Sequence, residues 1–286
     1  MSASPAQVPP PVVVSRLRAA GCVFAEDEAR LLVSAARTPA ELEAMVDRRV
    51  GGVPLEYVIG WAEFCGLRIT VAPGVFVPRR RTELLVDEAT RVLRPLAAQR
   101  DRVAAPVVID LCCGSGAVGA ALLATIGRMD VHAVDIEPVA VRCARRNLAD
   151  SGAQVYEGDL YAPLPERLRG RVDVIVANAP YVPSDSIRLL PPEARLHEPS
   201  TALDGGADGL DVQRRVAEDA AGWLAPGGHL LIETSEQQAS ETFAVVTRGG
   251  FVARVVHSEE QGGTVVVGTR DLESIAGLRP VSAPMR

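Results

Sequence analysis

The stretch VIVANAPYVP, residues 174–183, runs from branched apolar residues into an amide, a small residue, a proline and an aromatic ring. A buried strand that ends this way presents hydrogen-bond acceptors to a flat amino group. An amide nitrogen is a poor nucleophile because its lone pair is delocalised, so a site that alkylates one must hold both hydrogens and aim the nitrogen. Asn178 offers one acceptor through its side-chain oxygen, and the Ala179 carbonyl offers a second. Pro180 confines Ala179 to extended conformations and so fixes where that carbonyl points. Tyr181 adds an aromatic wall for stacking. An ordinary strand-to-loop turn would account for the same four residues, so their weight depends on their company.

That company begins with DLCCGSGAVG, residues 110–119, which sets Gly114, Gly116 and Gly119 in the G-x-G-x-x-G spacing between a strand and a helix. Backbone can approach a ligand there, at a helix N-terminus. Alone the spacing is a weak signal. Asp135 closes the second strand nineteen residues beyond Gly116, where a ribose-binding acid belongs, and a dinucleotide dehydrogenase would show the same pair. Two further acids separate the cofactors. Asp110 precedes the glycine turn, where its charge is awkward beside a pyrophosphate and useful near a sulfonium or ammonium group. Asp159 closes the third strand, where it can accept a hydrogen bond from an adenine amino group. Three acids at three successive strand ends fit a cationic nucleoside better than a dinucleotide, and the cofactor they indicate is S-adenosyl-L-methionine.

The elements that must position these residues follow from the apolar pattern. The strand candidates 107–111, 131–135, 153–159, 172–178 and 228–234 alternate with gaps long enough for helices, which predicts a parallel sheet covered on both faces. The runs 251–257 and 263–269 are separated by SEEQGG, too short for a helical crossover, and should pair antiparallel. Upstream, helices are expected near 11–19, 25–36 and 39–49. The last has a clear start: Thr38 can cap, Pro39 suits the first helical position, and Glu41 stands where a capping box needs it. From Leu55 to Val77 the pattern turns toward strands punctuated by glycine and proline, and a helix from about Thr82 to Leu93 follows. The spans expected are a helical substrate-recognition domain over 1–54, a β-hairpin linker over 55–81 and the main domain over 82–286.

With 286 residues, 48% of them hydrophobic, the chain can bury a sizeable core. No stretch approaches the roughly 18 apolar residues of a membrane span, and the N-terminus lacks a signal-peptide layout, so a cytoplasmic protein is expected. Five scattered cysteines without C-x-x-C predict neither disulfides nor zinc, and four histidines without ligand spacing predict no metal. The net charge of −6 argues against a general nucleic-acid field, although every basic residue is Arg.

The chain resembles the glutamine-N5 protein methyltransferases that modify peptide-chain release factors. Their pattern is a D-L-G-x-G-x-G turn, acids after the second and third strands, N-P-P-Y after the fourth, and a downstream E-P-x-x-A-L-x-G-G-x-D-G-L segment. Here stand DLCCGSG, Asp135, Asp159, NAPY and EPSTALDGGADGL (198–210), within a likeness that spans about Gly52 to Gly268. The resemblance implies a Rossmann-like class I methyltransferase with a seven-stranded doubly wound sheet and an antiparallel last strand. It implies a cofactor turn of Cys112, Cys113, Gly114, Ser115 and Gly116, a ribose acid Asp135 and an adenine region at Asp159 and Leu160. It also implies a substrate clamp of Asn178, Ala179, Pro180 and Tyr181, with Asn178 bordering the cofactor. The expected partner is a release factor, met by a monomer without membrane or stable nucleic-acid binding. N-P-P-Y is shared with adenine amino-methyltransferases of RNA and DNA, which remain the nearest alternative. A non-catalytic S-adenosyl-L-methionine-binding module is the other.

Three departures stand out. Cys112 replaces the first glycine of the turn, and Ala179 replaces the first proline of the clamp. The family's P-R-P-E-T-E becomes PRRRTE, which puts Arg79, Arg80 and Arg81 in a row, either as a solvated face or as a clamp for an acidic partner surface. Glu198 and Asp208 are expected to brace the clamp loop.

Overall fold

The computed structural model describes residues 9–98 and 104–271; the outer ends of the expected domain spans, 1–8 and 272–286, lie outside the described residues. The chain opens with α1 (Pro11–Ala19), α2 (Ala25–Ala35) and α3 (Pro39–Val50). Leu17, Ala29, Leu32 and Val46 from these helices are fully buried against one another. Thr38 caps α3 by accepting the Glu41 N–H at 3.1 Å, while the Glu41 carboxylate reaches one residue past the expected partner to the Arg37 N–H at 2.8 Å.

The strand expected from Leu55 begins only at Trp61. Leu55–Ile59 is instead a short helix, α4, entered from Pro54 and ended by Gly60 in the left-handed conformation, φ 84°. Its Tyr, Val and Ile favour strand locally, and tertiary packing overrides them. Val58 completes the core of α1–α3, and the Tyr57 hydroxyl donates to the Val75 carbonyl at 2.6 Å. The hairpin proper is β1 (Trp61–Phe64) with β2 (Leu67–Thr70), and α5 (Glu83–Ala98) follows.

The main sheet comprises β3 (Val107–Leu111), β4 (Asp130–Asp135), β5 (Gln154–Glu157), β6 (Val172–Ala177), β7 (Leu224–Thr234), β8 (Phe251–Ser258) and β9 (Gly263–Arg270). Its order is β5-β4-β3-β6-β7-β9-β8. The first five strands in that order run parallel, and β9, last in sequence, is inserted antiparallel to both β7 and β8. Alternate residues face opposite layers: Ile109, Leu111 and Ile175 pack against α9 (Asp211–Trp223) and α10 (Ala239–Arg248), and Val108, Val174 and Val176 against α5 and α6 (Ala117–Ile126). This is the class I methyltransferase architecture expected from the sequence, with α7 (Pro138–Asn147) and α8 (Pro192–His197) completing the helices named here. The chain winds outward from β3 through β4 to β5 on one side and from β6 to β7 on the other. A crevice therefore opens at the carboxyl ends of β3 and β6, the position where doubly wound sheets bind ligands. In that register Leu111 lies beside Ala177, so the glycine turn and the Asn178 stretch leave the sheet side by side.

Candidate active site

A cavity of about 510 Å³ fills this crevice, within the size range of small-molecule sites. Every residue of the cofactor turn, the three acids and the clamp lines it except Gly116, and Gly119, the third glycine of the spacing, does not line it either. Gly116 adopts φ 75° at the start of α6, and a Cβ there would come within 3.1 Å of Ala144 on α7 and of Leu148 just past its end. Its requirement is helix packing. Gly114, at φ 55°, donates its N–H to Asp135 Oδ2 at 2.7 Å, and Asp135 Oδ1 accepts the Glu137 N–H at 2.9 Å. Asp135 therefore shapes the turn as well as facing the cavity. Cys112 holds the left-handed conformation at φ 54°, where the family's glycine would carry no Cβ penalty. Its thiol and that of Cys113 are held protonated by burial, which raises both pKa values.

Asp110 is almost wholly buried, and its Oδ2 accepts the Gly119 N–H at 3.0 Å. Burial pushes its carboxyl up to about 7, with the Asp135 charge adding to the rise. Burial likewise raises Asp135. Among the described residues no basic side chain pairs with either acid, so two desolvated carboxyls border a cavity with nothing of the chain's own to neutralise them. That donor set fits a cationic ligand. Asp159 differs: it is half exposed and paired with Arg215 of α9 at 2.6 Å. An adenine amino group would meet this ion pair, a partner that sequence spacing gave no sign of. Leu160 follows in the left-handed conformation, φ 46°, with its side chain buried.

On the other side, Asn178 donates from Nδ2 to the hydroxyl of Thr82, which also lines the cavity, at 3.2 Å, and among the described residues Oδ1 has no partner. The Ala179 N–H carries no hydrogen bond among the described residues, and the residue is 1% exposed. The following chain is held by EPSTALDGGADGL. Val182 donates its N–H to the Leu203 carbonyl and accepts from the Gly205 N–H, at 3.0 and 2.9 Å. A Cβ on Gly205 would stand 2.7 Å from the Pro180 carbonyl oxygen, and one on Gly209 would collide with that of Tyr181. The glycines of that segment thus let two backbones meet behind the clamp. Gln238 adds a bond to the Tyr181 carbonyl at 3.0 Å.

The arginine run is neither a solvated face nor a free clamp. Arg79 pairs with Glu198 at 2.5 Å and Arg81 with Glu233 at 3.4 Å, both acids being 1% exposed, and among the described residues Arg80 has no ion-pair partner. Glu198 also accepts the Val77 N–H at 3.2 Å, so it braces the segment before α5 rather than the clamp loop, and Asp208 pairs with Arg214 on the surface. Trp61 lies under Arg68, 4.3 Å from the ring centroid, and does not line the cavity. Thr82, Glu233, Gln238 and Arg215 were invisible to sequence reasoning because each reaches the site from a distant element.

A family model described as Methyltransferase small domain matches residues 66–190. The release factor glutamine methyltransferase of Geobacter sulfurreducens is 39% identical over 237 residues, covering 81% of this chain and 79% of that one. The 4-amino-L-phenylalanine/4-methylamino-L-phenylalanine methyltransferase of Streptomyces pristinaespiralis is 38% identical over 205 residues, covering 72% of this chain and 69% of its own. A methyltransferase from Pyrococcus furiosus shares the fold, with a TM-score of 0.53 at 17% identity across 72% of this chain and 90% of that one. The chain belongs to the release factor glutamine methyltransferase family.

Proposed function

From that membership we propose that the chain transfers a methyl group from S-adenosyl-L-methionine to the side-chain amide nitrogen of a glutamine in a peptide-chain release factor. The observation that carries this reading is the 39% identity to the Geobacter sulfurreducens enzyme across four-fifths of the chain. The cofactor supplies an electrophilic methyl on a cationic sulfur. The residues of the chain do the rest. Asp110 faces the positive charge, Asp135 accepts from ribose hydroxyls, and Asp159 with Leu160 borders the adenine, while the turn Cys112–Ser115 brings backbone close.

On the acceptor side, Asn178 Oδ1 and the Ala179 carbonyl take the two amide hydrogens, and Tyr181 lies against the flat group. Pairing of Glu198 and Glu233 with Arg79 and Arg81 keeps these two buried acids from acting as free anions toward the acceptor, which supports a neutral one. No ionised base is required: the methylated nitrogen loses its proton to water. Arg49 of α3 binds Glu28 of α2 and Glu193 of α8, both at 2.6 Å, which ties the N-terminal helices to the segment after the clamp. We assign to those helices the recognition of the protein substrate, in a cytoplasmic monomer that forms no stable nucleic-acid complex. Among the described residues no helix is long and apolar enough to cross a membrane.

A second reading, methylation of an aromatic amine, draws on the Streptomyces pristinaespiralis relative, since an aniline nitrogen is also flat. One experiment separates these readings and the nucleic-acid alternative. The protein is incubated with methyl-labelled S-adenosyl-L-methionine and, in separate reactions, a full-length release factor, 4-amino-L-phenylalanine, RNA and DNA. Label on one glutamine of the release factor is expected. Label confined to the aryl amine or to nucleic acid would overturn the proposal, and binding of the cofactor without any transfer would leave a binding module.

A further inference from the structure

Arg81 stands where the family's P-R-P-E-T-E carries its first glutamate, so this chain holds a cation at a position that is an acid in the family pattern. Its side chain lines the cavity, 43% exposed, with Cζ 5.8 Å from the centre of the Tyr181 ring. The pairing with Glu233 is slight. A single contact joins them, from Nε at 3.4 Å, whereas a full arginine–carboxylate pair is two-pronged and closes to about 2.8 Å. Among the described residues Nε is the one nitrogen of Arg81 side chain that makes a hydrogen bond. The backbone beneath is closely packed, since a Cβ on Gly263 of β9 would stand 2.5 Å from the Arg81 carbonyl oxygen. Among the described residues that line the cavity only Arg81 and Arg215 are positive, and Arg215 is engaged by Asp159 at 2.6 Å. Arg81 is thus the cavity's cation with donors to spare.

S-adenosyl-L-methionine carries one carboxylate, on its methionyl tail, besides the sulfonium and ammonium charges that suit the unpaired acids. In a cavity bordered by Asp110 and Asp135 that carboxylate is repelled unless a cation meets it. The sheet order says on which side the cation must be. Asp159, Asp135 and Asp110 belong to the ends of β5, β4 and β3, which are neighbours in that order, so a nucleoside spanning them leaves its tail to the side of β6 and β7. Arg81 reaches the crevice on that side, between Tyr181 after β6 and Glu233 on β7. We propose that Arg81 binds the methionyl carboxylate of the cofactor through its terminal nitrogens and keeps Nε for Glu233. A guanidinium presents donors along two edges, so one group can serve both acids. Glu233 has a matching part: its one long contact tethers Arg81 without taking the donors the ligand needs. Its Oε2 makes no hydrogen bond, which would be a costly arrangement for a purely structural buried pair. The inference rests on the cofactor assignment and is independent of which amide is methylated.

Calorimetry on the full chain without release factor tests this, using S-adenosylhomocysteine and its decarboxylated analogue, which keeps the ammonium and lacks only the carboxylate. Wild type should bind the first about 10- to 100-fold more tightly, the scale of a charge-assisted hydrogen bond. Arg81→Gln should weaken S-adenosylhomocysteine by about that factor and leave the analogue within about 3-fold, so that the preference disappears. Glu233→Gln should keep the preference in full, because it releases Arg81 rather than removing it, whereas a merely structural pair would make both variants lose alike. Should Arg81→Gln fail to fold with Glu233 left unpaired, Arg81→Gln/Glu233→Gln removes both charges and should show the same lost preference. Equal affinity of wild type for the two ligands overturns the proposal, and so does a preference that survives in Arg81→Gln or in the double variant. The other source of a carboxylate is an acidic residue of the acceptor. If Arg81→Gln raises KM for the release factor while the cofactor preference stays, Arg81 serves that substrate and the proposal is wrong. Failure of wild type to bind S-adenosylhomocysteine at all would overturn the cofactor assignment together with the proposal, which keeps the two failures apart.

Discussion

The two sides of the crevice treat buried carboxylates in opposite ways. On the cofactor side Asp110 and Asp135 are desolvated and pair with no cation among the described residues, and burial raises both pKa values. On the acceptor side Glu198 and Glu233 are buried too, and burial raises their pKa values as well, yet each has an arginine from the segment just before α5. A site that keeps its acids unpaired awaits a positive ligand, whereas one that has neutralised them internally is suited to a neutral group held by hydrogen bonds alone. The contrast is what a sulfonium donor and an uncharged amide acceptor require of one cavity.

The largest expected effect tests the unpaired half. Burial places Asp110 at about 7 in the folded state against 3.8 for the free side chain. Between those values the folded protein keeps a proton that the unfolded chain has released. Stability present at low pH is therefore lost as pH rises through about 7, by up to about 4 kcal/mol over the whole window. Urea unfolding without cofactor should show this decline between about pH 4 and pH 7, and Asp110→Asn should flatten it. S-adenosyl-L-methionine should bind wild type more tightly as pH rises, because the ionised acid is the form that attracts it. An unchanged slope in Asp110→Asn would mean that Asp110 already has a counter-charge, and the contrast between the two sides would dissolve.

Next in size is the acceptor side. Asn178→Ala removes one preorganised acceptor from a desolvated amide and should cut kcat by roughly 10²-fold or more. Cofactor affinity, measured by calorimetry, should barely move. Asp135→Ala should do the reverse, weakening S-adenosyl-L-methionine binding by about 1 to 3 kcal/mol while saturating cofactor restores much of the turnover. Variants that shifted both quantities together would show that the two sides act as one unit.

What the sequence disclosed about these two sides also differs. The cofactor side was legible because its parts are local: a glycine turn and acids that close consecutive strands announce themselves within a few residues. Even there the packing of Gly116 against Ala144 was hidden, since a ligand-facing glycine and one pressed against α7 have the same spacing. The acceptor side was legible only in its front row. Asn178 to Tyr181 are contiguous, but Thr82 lies 96 residues from Asn178 in sequence and Glu233 52 from Tyr181, and no local pattern joins them. The arginine run misled for the same reason, its partners being 119 and 152 residues away. Leu55–Ile59 failed differently: its β-branched and aromatic residues favour strand, and only packing against α1–α3 makes them a helix.

The smallest effect is expected where the chain departs from its family in the clamp itself. Ala179→Pro deletes an N–H that has no partner among the described residues, so no hydrogen bond is lost. It confines Asn178 to extended conformations, which suits a residue that continues β6. Fixing φ at residue 179 lowers the entropy of the unfolded chain and contributes about 0.4 to 1 kcal/mol. Against this, Ala179 is 1% exposed, and the added ring atoms must find room at the cavity edge. These contributions nearly cancel, so the thermal midpoint should shift by only a few degrees and kcat should stay within about 3-fold. The carbonyl, which is what the substrate would touch, survives in both residues. A folded Ala179→Pro protein that has lost turnover would show that the Ala179 carbonyl must swing to reach its donor. The acceptor side would then be less preorganised than its paired charges imply, and the contrast with the cofactor side would rest on charge alone.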